Sequence, residues 1–355
     1  MGLTKLLLAT AGIASSATAT ITAADAAAHV IFSWSGTTPP SSLTTLASQC
    51  QLGGLIIFGN NVDDNLPSFI SGLQSTYSKA GCAIKGPLLI VTDQEGGEVK
   101  RLPGGPTLSE KEIGEQSNLS AAGNSAGVQA ADALKAYNHN GNLAPVLDVF
   151  YAAGDFDDEY QRSYSSSSNT SIAATCGSAF IKAQQGLGIV ATAKHFPGLG
   201  AATSSQNTDE GPVTLTQSLS QIRAVDEAPY PAAIAAGVKM IMPSWALYPA
   251  LDTTYPSGLS SKWVTDELRG RLGFQGVVIT DAIEAGGLNA FGSDPGYRAT
   301  LAMKAGVDLI LAAAQDPSQG TAVVNTLVAA VNNGTISSSA FSASTSRITS
   351  LRNSL

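Results

Sequence analysis

Four positions in this chain place polar groups at or near the end of an apolar run. Asp93 ends "GPLLIVTD", Asp148 stands next to last in "NLAPVLDV", Lys194 and His195 lie near the end of "GIVATAKHF", and Asp281 follows "GVVIT". Beyond His195 the chain enters "PGLGAATSSQNTDEGPV", a loop of small residues with one acidic pair, Asp209 and Glu210. Carboxyl groups with cations beside them can divide labour. One carboxylate attacks or stabilises an electron-poor carbon while a second group protonates the leaving oxygen. Any one of these residues could be half of a structural ion pair. Together, opening on one rim, they make a site.

The elements that must position them are written in the apolar runs. These cover 29–34, 53–59, 86–93, 142–149, 188–196, 238–245, 276–282 and 307–313. They are continuous rather than alternating, as parallel strands buried on both faces require. Helix-length segments lie between them, including 120–138, 171–186, 217–236 and 295–305. The pattern predicts an α/β fold, a single-domain (β/α)8 TIM-type barrel, in which the C-terminal strand ends meet at one mouth. A doubly wound open sheet is the alternative, but no G-x-G-x-x-G follows the first run.

Composition narrows the class. Of 355 residues, 44% are hydrophobic, enough for a large core, and 13% are charged. The net charge of −8 argues against a nucleic-acid partner, which needs clustered Lys and Arg. The N-terminus has one early cation, Lys5, then an apolar stretch, then Ala24-Asp25-Ala26 as an A-x-A cleavage signal. Residues 1–26 are therefore expected to be a secretory leader and 27–355 the barrel of a secreted protein. No later run reaches the roughly 18 apolar residues of a membrane span. Asn118, Asn169 and Asn333 open glycosylation sequons.

Three cysteines remain, with no C-x-x-C or Cys/His cluster, so neither structural zinc nor any other metal or cofactor is expected. Cys50 and Cys82 each fall shortly before consecutive strands, at the rim opposite the polar ends. That placement predicts a Cys50–Cys82 bridge and leaves Cys176 free in a helix face.

Carboxylates and cations at such a mouth suit cleavage of a glycosidic bond. Asp281, held at a strand end, is the candidate nucleophile. Asp93, Arg101, Arg162, Lys194 and His195 are candidate ligands for sugar hydroxyls.

The segments "VTDQEGGEVKRL", "NLAPVLDV", "AKHFPGLG" and "GVVITDAIEAGGL", in that order, resemble glycoside hydrolase family 3, in its single-domain β-N-acetylglucosaminidase branch. The resemblance runs from about residue 50 to 315. It implies a retaining exo-glycosidase acting on an oligosaccharide or glycoside through a covalent glycosyl-enzyme intermediate, with Asp281 as nucleophile. It also implies that Asp93, Arg101, Lys194 and His195 bind the non-reducing sugar. Arg162, in "QRSYSS", is a looser match, and Asp148 reads as support rather than ligand.

One departure stands out. Relatives of this branch read "KHFPGHG" and carry a loop His as acid/base, whereas here the first position is Leu199 and the loop has no His. Asp209 and Glu210 are the local substitutes. An ordinary Asp, with a pKa of about 3.9, needs burial or low pH to hold the proton. It must also come within roughly 5–5.5 Å of Asp281 in a retaining pair. The same departure supports a second reading, a weakened barrel that only binds saccharide. A third reading makes Lys194 a Schiff-base lysine. Trp245 and Tyr248 are either a sugar platform or core, Glu284 is expected outside the mouth, and Glu95 is expected to brace a turn.

Overall fold

In the computed structural model, which describes residues 20–355, each of the eight apolar runs supplies one parallel strand. In chain order these are β1 (Val30–Phe32), β2 (Gly54–Ile56) and β3 (Leu89–Val91), then a hairpin of β4 (Gln94–Gly96) and β5 (Val99–Lys100). There follow β6 (Gly141–Asn142), β7 (Val190–Phe196), β8 (Met240–Pro243), β9 (Val277–Ala282) and β10 (Leu309–Leu311). The large sheet runs β3-β2-β1-β10-β9-β8-β7-β6. Its two ends join where the Leu143 N–H donates to Thr92 O at 2.9 Å and the Asn140 N–H donates to Ile90 O at 3.2 Å. The ring is the expected (β/α)8 barrel.

Side chains divide between its two faces with the two-residue period of a strand. Ile31, Val91, Met240, Met242, Ile279 and Leu309 form the interior cluster, joined by Ile348 and Leu351 of the C-terminal helix Ser338–Arg352. Val30, Phe32, Ile90, Ile241 and Val278 face the helical layer. Each such side chain contributes about 1.5–3 kcal/mol by leaving water.

Three segments differ from the expectation for physical reasons. At the run 142–149 the strand has only two paired residues, Gly141 and Asn142, before Pro145, which has no N–H to donate, and Val146 then makes a single bridge to Lys194. The segment 217–236 is not one helix. It runs as Leu219–Gln221, passes directly into a π-helical turn at Ile222–Asp226, and restarts after Pro229 as Tyr230–Ala235, with Pro231 in its first turn. The hairpin of β4 and β5, turning at Gly97 and Glu98, is an addition that the strand count did not contain.

Cys50 and Cys82 are bridged, with Cα atoms 5.5 Å apart, and Cys176 is free and buried. The three sequon asparagines are all exposed. Residues 1–19 of the expected leader lie outside the described residues, but its last part belongs to the fold. Thr22 and Asp25 form a reciprocal capping box on the helix Ala23–Ala27, whose Ala26 and Ala27 are fully buried. Ile21 exchanges two hydrogen bonds with the side chain of Asn332.

Candidate active site

The C-terminal strand ends open into a cavity of about 650 Å³. Asp93, Arg101, Arg162, Lys194, His195, Asp209 and Asp281 all line it. Glu210 does not, and neither does Asp148. Residues that end or follow four barrel strands, β3, β6, β7 and β9, thus converge as the strand-end pattern requires.

Glu95, expected only to brace a turn, is the pivot of the basic side. The hairpin carries it inward from β4 until its side chain is 2% exposed. There it takes a two-pronged hydrogen bond from Arg162, at 2.9 and 3.0 Å, and a salt bridge from Lys194 at 2.7 Å. Burial opposes its ionisation, but the two cations outweigh burial and hold the carboxyl well below the usual range. Lys194 also reaches Asp93 at 2.7 Å. Burial alone would drive its ammonium to lose a proton, yet Asp93 and Glu95 reverse that, so its pKa is raised. An amine held charged between two carboxylates is a poor nucleophile, and this pairing argues against the Schiff-base reading.

His195 is oriented from behind by Asp148. That carboxylate is fully buried and accepts from His195 Nδ1 at 2.6 Å, from the His195 N–H, and from the Leu199 N–H at 2.7 Å. Burial works against both charges, but the pairing wins, raising the imidazole pKa and lowering that of Asp148. Asp148 therefore fixes the ring and the start of the loop at once.

Asp157, which the sequence did not single out, completes this layer. One of its oxygens accepts from Arg162 at 3.3 Å and the other, fully buried, has no partner. Burial, then the neighbouring Asp148 charge, raises its pKa to about 7. Donor atoms of Asp148, Asp157 and His195 lie within 4.8 Å of one another, the one group among the described residues close enough to hold a metal. Arg162 already supplies positive charge there, and Asp148 favours the charged form of His195, so the group fits a shared proton better than a cation. A carboxyl whose folded pKa exceeds its unfolded value binds its proton more tightly in the fold, so stability falls as pH rises through 4 to about 7. Asp157→Asn is accordingly expected to raise stability more at about pH 8 than at about pH 4, by a difference of at least on the order of 1 kcal/mol. Thermal melts at the two pH values check this, and an equal effect at both would contradict it.

The long loop crosses the mouth. Gly200 lets it start flush against the neighbouring backbone, since a Cβ there would sit 2.1 Å from Val149 O. At its far end the Gly286 N–H donates to Asp209 O and the Gly287 N–H to Thr208 O, both at 2.8 Å. A side chain at 286 would meet Glu210 O at 2.2 Å, so glycine permits this docking. Residues 286 and 287 closely follow β9, and the loop thereby lays Asp209 over the strand that presents Asp281. Partial burial, then the Asp281 charge, raises the Asp209 pKa. Asp281 itself is half-buried, with one oxygen accepting from the Ala282 N–H at 2.7 Å.

Two aromatic residues considered for a sugar platform belong to the core instead. Trp245 and Tyr248 are each 1% exposed. Both brace the site: the Trp245 indole donates to Ala282 O at 2.9 Å, and the Tyr248 hydroxyl donates to Gly198 O at 2.8 Å. Glu284, expected outside the mouth, lines the cavity and accepts from the Ala313 N–H and Gln319.

A (β/α)8 barrel whose mouth sets a carboxylate at a strand end, a second carboxyl on a docked loop and a charged clamp is the architecture of an O-glycosyl hydrolase. Residues 30–351 match the Glycosyl hydrolase family 3 N terminal domain, and the chain belongs to that family. It is 51% identical over 346 residues to an uncharacterized secreted glycosyl hydrolase of Arthroderma benhamiae, covering 97% of each. It is 34% identical over 266 residues to a beta-hexosaminidase of Tolumonas auensis, covering 74% of this chain and 75% of that one. The structure resembles a family 3 beta-N-acetylglucosaminidase from Paenibacillus sp. str. FPU-7 with a TM-score of 0.86 and 29% identity, over 95% of this chain and 63% of that one. The protein is a β-N-acetylhexosaminidase-like enzyme of this family. Among the described residues, no helix is long and apolar enough to cross a membrane.

Proposed function

We propose that this enzyme is secreted and removes terminal β-linked N-acetylglucosamine with net retention, through a covalent glycosyl–Asp281 intermediate. The observation that carries the reading is the docking of the loop at Gly286 and Gly287, which brings Asp209 into the same cavity as Asp281. In the first half-reaction an Asp281 oxygen bonds to the anomeric carbon as the glycosidic C–O bond breaks. Protonated Asp209 gives its proton to the departing oxygen. In the second, Asp209 as carboxylate takes a proton from water, whose oxygen displaces Asp281 from the same carbon. Asp93, Arg101, Arg162, Lys194 and His195 bind sugar hydroxyls, and the charged ones share the charge developing on the ring. The raised pKa of Asp209 supports this assignment, because an acid that titrates lower would have lost its proton. Glu210, outside the cavity, takes no part in this scheme. The N-acetyl preference rests on what the similar hexosaminidase and N-acetylglucosaminidase act on.

A panel of aryl β-glycosides, followed by ¹H NMR from about pH 4 to about pH 8, tests this. The N-acetylglucosaminide should turn over fastest and release the β-anomer first. The α-anomer first, or saccharide binding without turnover at any pH, would overturn it, the latter in favour of a barrel that only binds sugar.

Secretion carries its own expectation. The burial of Ala26 and Ala27 in a capped helix favours a cut upstream of the expected one after Ala26, and Ala17-Thr18-Ala19 offers the same small-x-small signal there. N-terminal sequencing of secreted protein should begin at Thr20. A start at Ala27 would contradict this.

A further inference from the structure

Three large hydrophobic side chains among the described residues are well exposed, namely Leu108, Tyr160 and Tyr297, and of these Tyr160 alone lines the catalytic cavity. It is 48% exposed, whereas the side chains of Lys194, His195 and Asp93 deeper in the cavity are 3%, 6% and 18% exposed. The cavity thus grades from a buried, charged floor, which suits the sugar being cleaved, to an aromatic rim.

That rim is built to stay in place. Phe156 meets Tyr160 edge-on, with centroids 5.4 Å apart at 64°, and its own ring packs against the main core. The short helix Phe156–Glu159 between them is fixed at its start. Asp155 accepts from the Tyr151 and Ala152 N–H groups at 3.0 and 2.6 Å, and Asp158 accepts from Lys111 at 2.6 Å. The Phe156 N–H donates to Ala202 O at 2.9 Å, so this segment is latched to the very loop that carries Asp209. The acid must stand beside the departing oxygen, and this rim is joined through Ala202 to the start of the loop that carries it.

We infer that Tyr160, backed by Phe156, is the platform for the first leaving-group sugar, and that the natural substrate is an oligosaccharide whose aglycone is itself a pyranose. The inference rests on the glycosidase reading above. The face of a pyranose presents a patch of C–H groups that packs on an aromatic ring, and a rigid ring loses little entropy in receiving it. Tyr160 is 48% exposed at the cavity lining, which leaves ring surface open to such a contact.

The test compares Tyr160→Ala, Tyr160→Phe and wild type on two substrates, a β-linked N-acetylglucosamine disaccharide and the β-glycosyl fluoride, whose leaving group has no ring. Tyr160→Ala should lose about tenfold in kcat/KM on the disaccharide, keep wild-type kcat/KM on the fluoride, and melt at the wild-type temperature. Tyr160→Phe should retain activity on both. An equal loss on both substrates would make Tyr160 a support of the acid loop and overturn the platform. No loss on either would overturn it too. If wild type cleaves neither substrate, the glycosidase reading fails first and the platform with it.

Discussion

Asp281→Ala is expected to lower kcat/KM for an aryl β-N-acetylglucosaminide by about 10⁴-fold or more, because the proposed mechanism loses the group that bonds to the anomeric carbon. Asp281 gains its force from position. It ends β9 between fully buried Thr280 and a backbone carbonyl at Ala282 pinned by Trp245, so the carboxylate has little freedom to lose on attack. Azide should restore turnover of a reactive aryl glycoside by entering the space the carboxylate leaves, and the product should be the α-glycosyl azide. Rescue yielding the β-azide, or loss under tenfold, would remove Asp281 from the nucleophile's role. Fold is controlled by the melting temperature, which a half-exposed strand-end residue should change little.

Asp209→Asn separates the two steps. Loss on a disaccharide, whose leaving group needs a proton, should reach about 10²- to 10⁴-fold. An aryl glycoside with a strongly acidic phenol should still form the glycosyl-enzyme and then stall, because the base for the second step is gone. The pH profile gives an independent signature. The acid works while protonated, so wild-type kcat/KM on a leaving group that needs a proton falls as pH rises through the Asp209 pKa. The raised pKa places that fall above the ordinary aspartate range. The amide of the Asp209→Asn variant cannot titrate, and the alkaline limb should vanish from the rate of its phenol burst on the reactive substrate. Glu210→Gln is the control and should leave the profile as in wild type. If Glu210→Gln removes the limb instead, the acid has been placed one residue too early.

The barrel and its central acids were legible because their signals are local. A continuous apolar run means a strand buried on both faces, and a polar residue at its end in a barrel means the mouth. That logic placed Asp93, Lys194, His195 and Asp281 without any knowledge of side-chain packing. It failed where orientation or long-range contact decides. Asp209 and Glu210 are chain neighbours with equal chemistry, and only the turn docked on Gly286 and Gly287 sends one of them into the cavity. Trp245 and Tyr248 follow a strand end just as a platform would, yet they face inward beneath the loop. Glu95 is central because a two-stranded hairpin brings it to Arg162, 67 positions away. Thr22-x-x-Asp25 was readable as a helix start and competes directly with the small-residue signal at residues 24–26. The exposure of Tyr160 depends on how a four-residue helix sits against the loop, and no periodicity encodes it.

The covalent step admits one direct measurement. The Asp209→Asn variant is mixed with an N-acetylglucosaminide bearing an acidic phenol leaving group, quenched in acid, digested and analysed by mass spectrometry. The expected result is a gain of one N-acetylhexosaminyl residue on the peptide that contains Asp281. A released burst of phenol with no sugar on that peptide, or with sugar on another, would contradict a glycosyl–Asp281 intermediate.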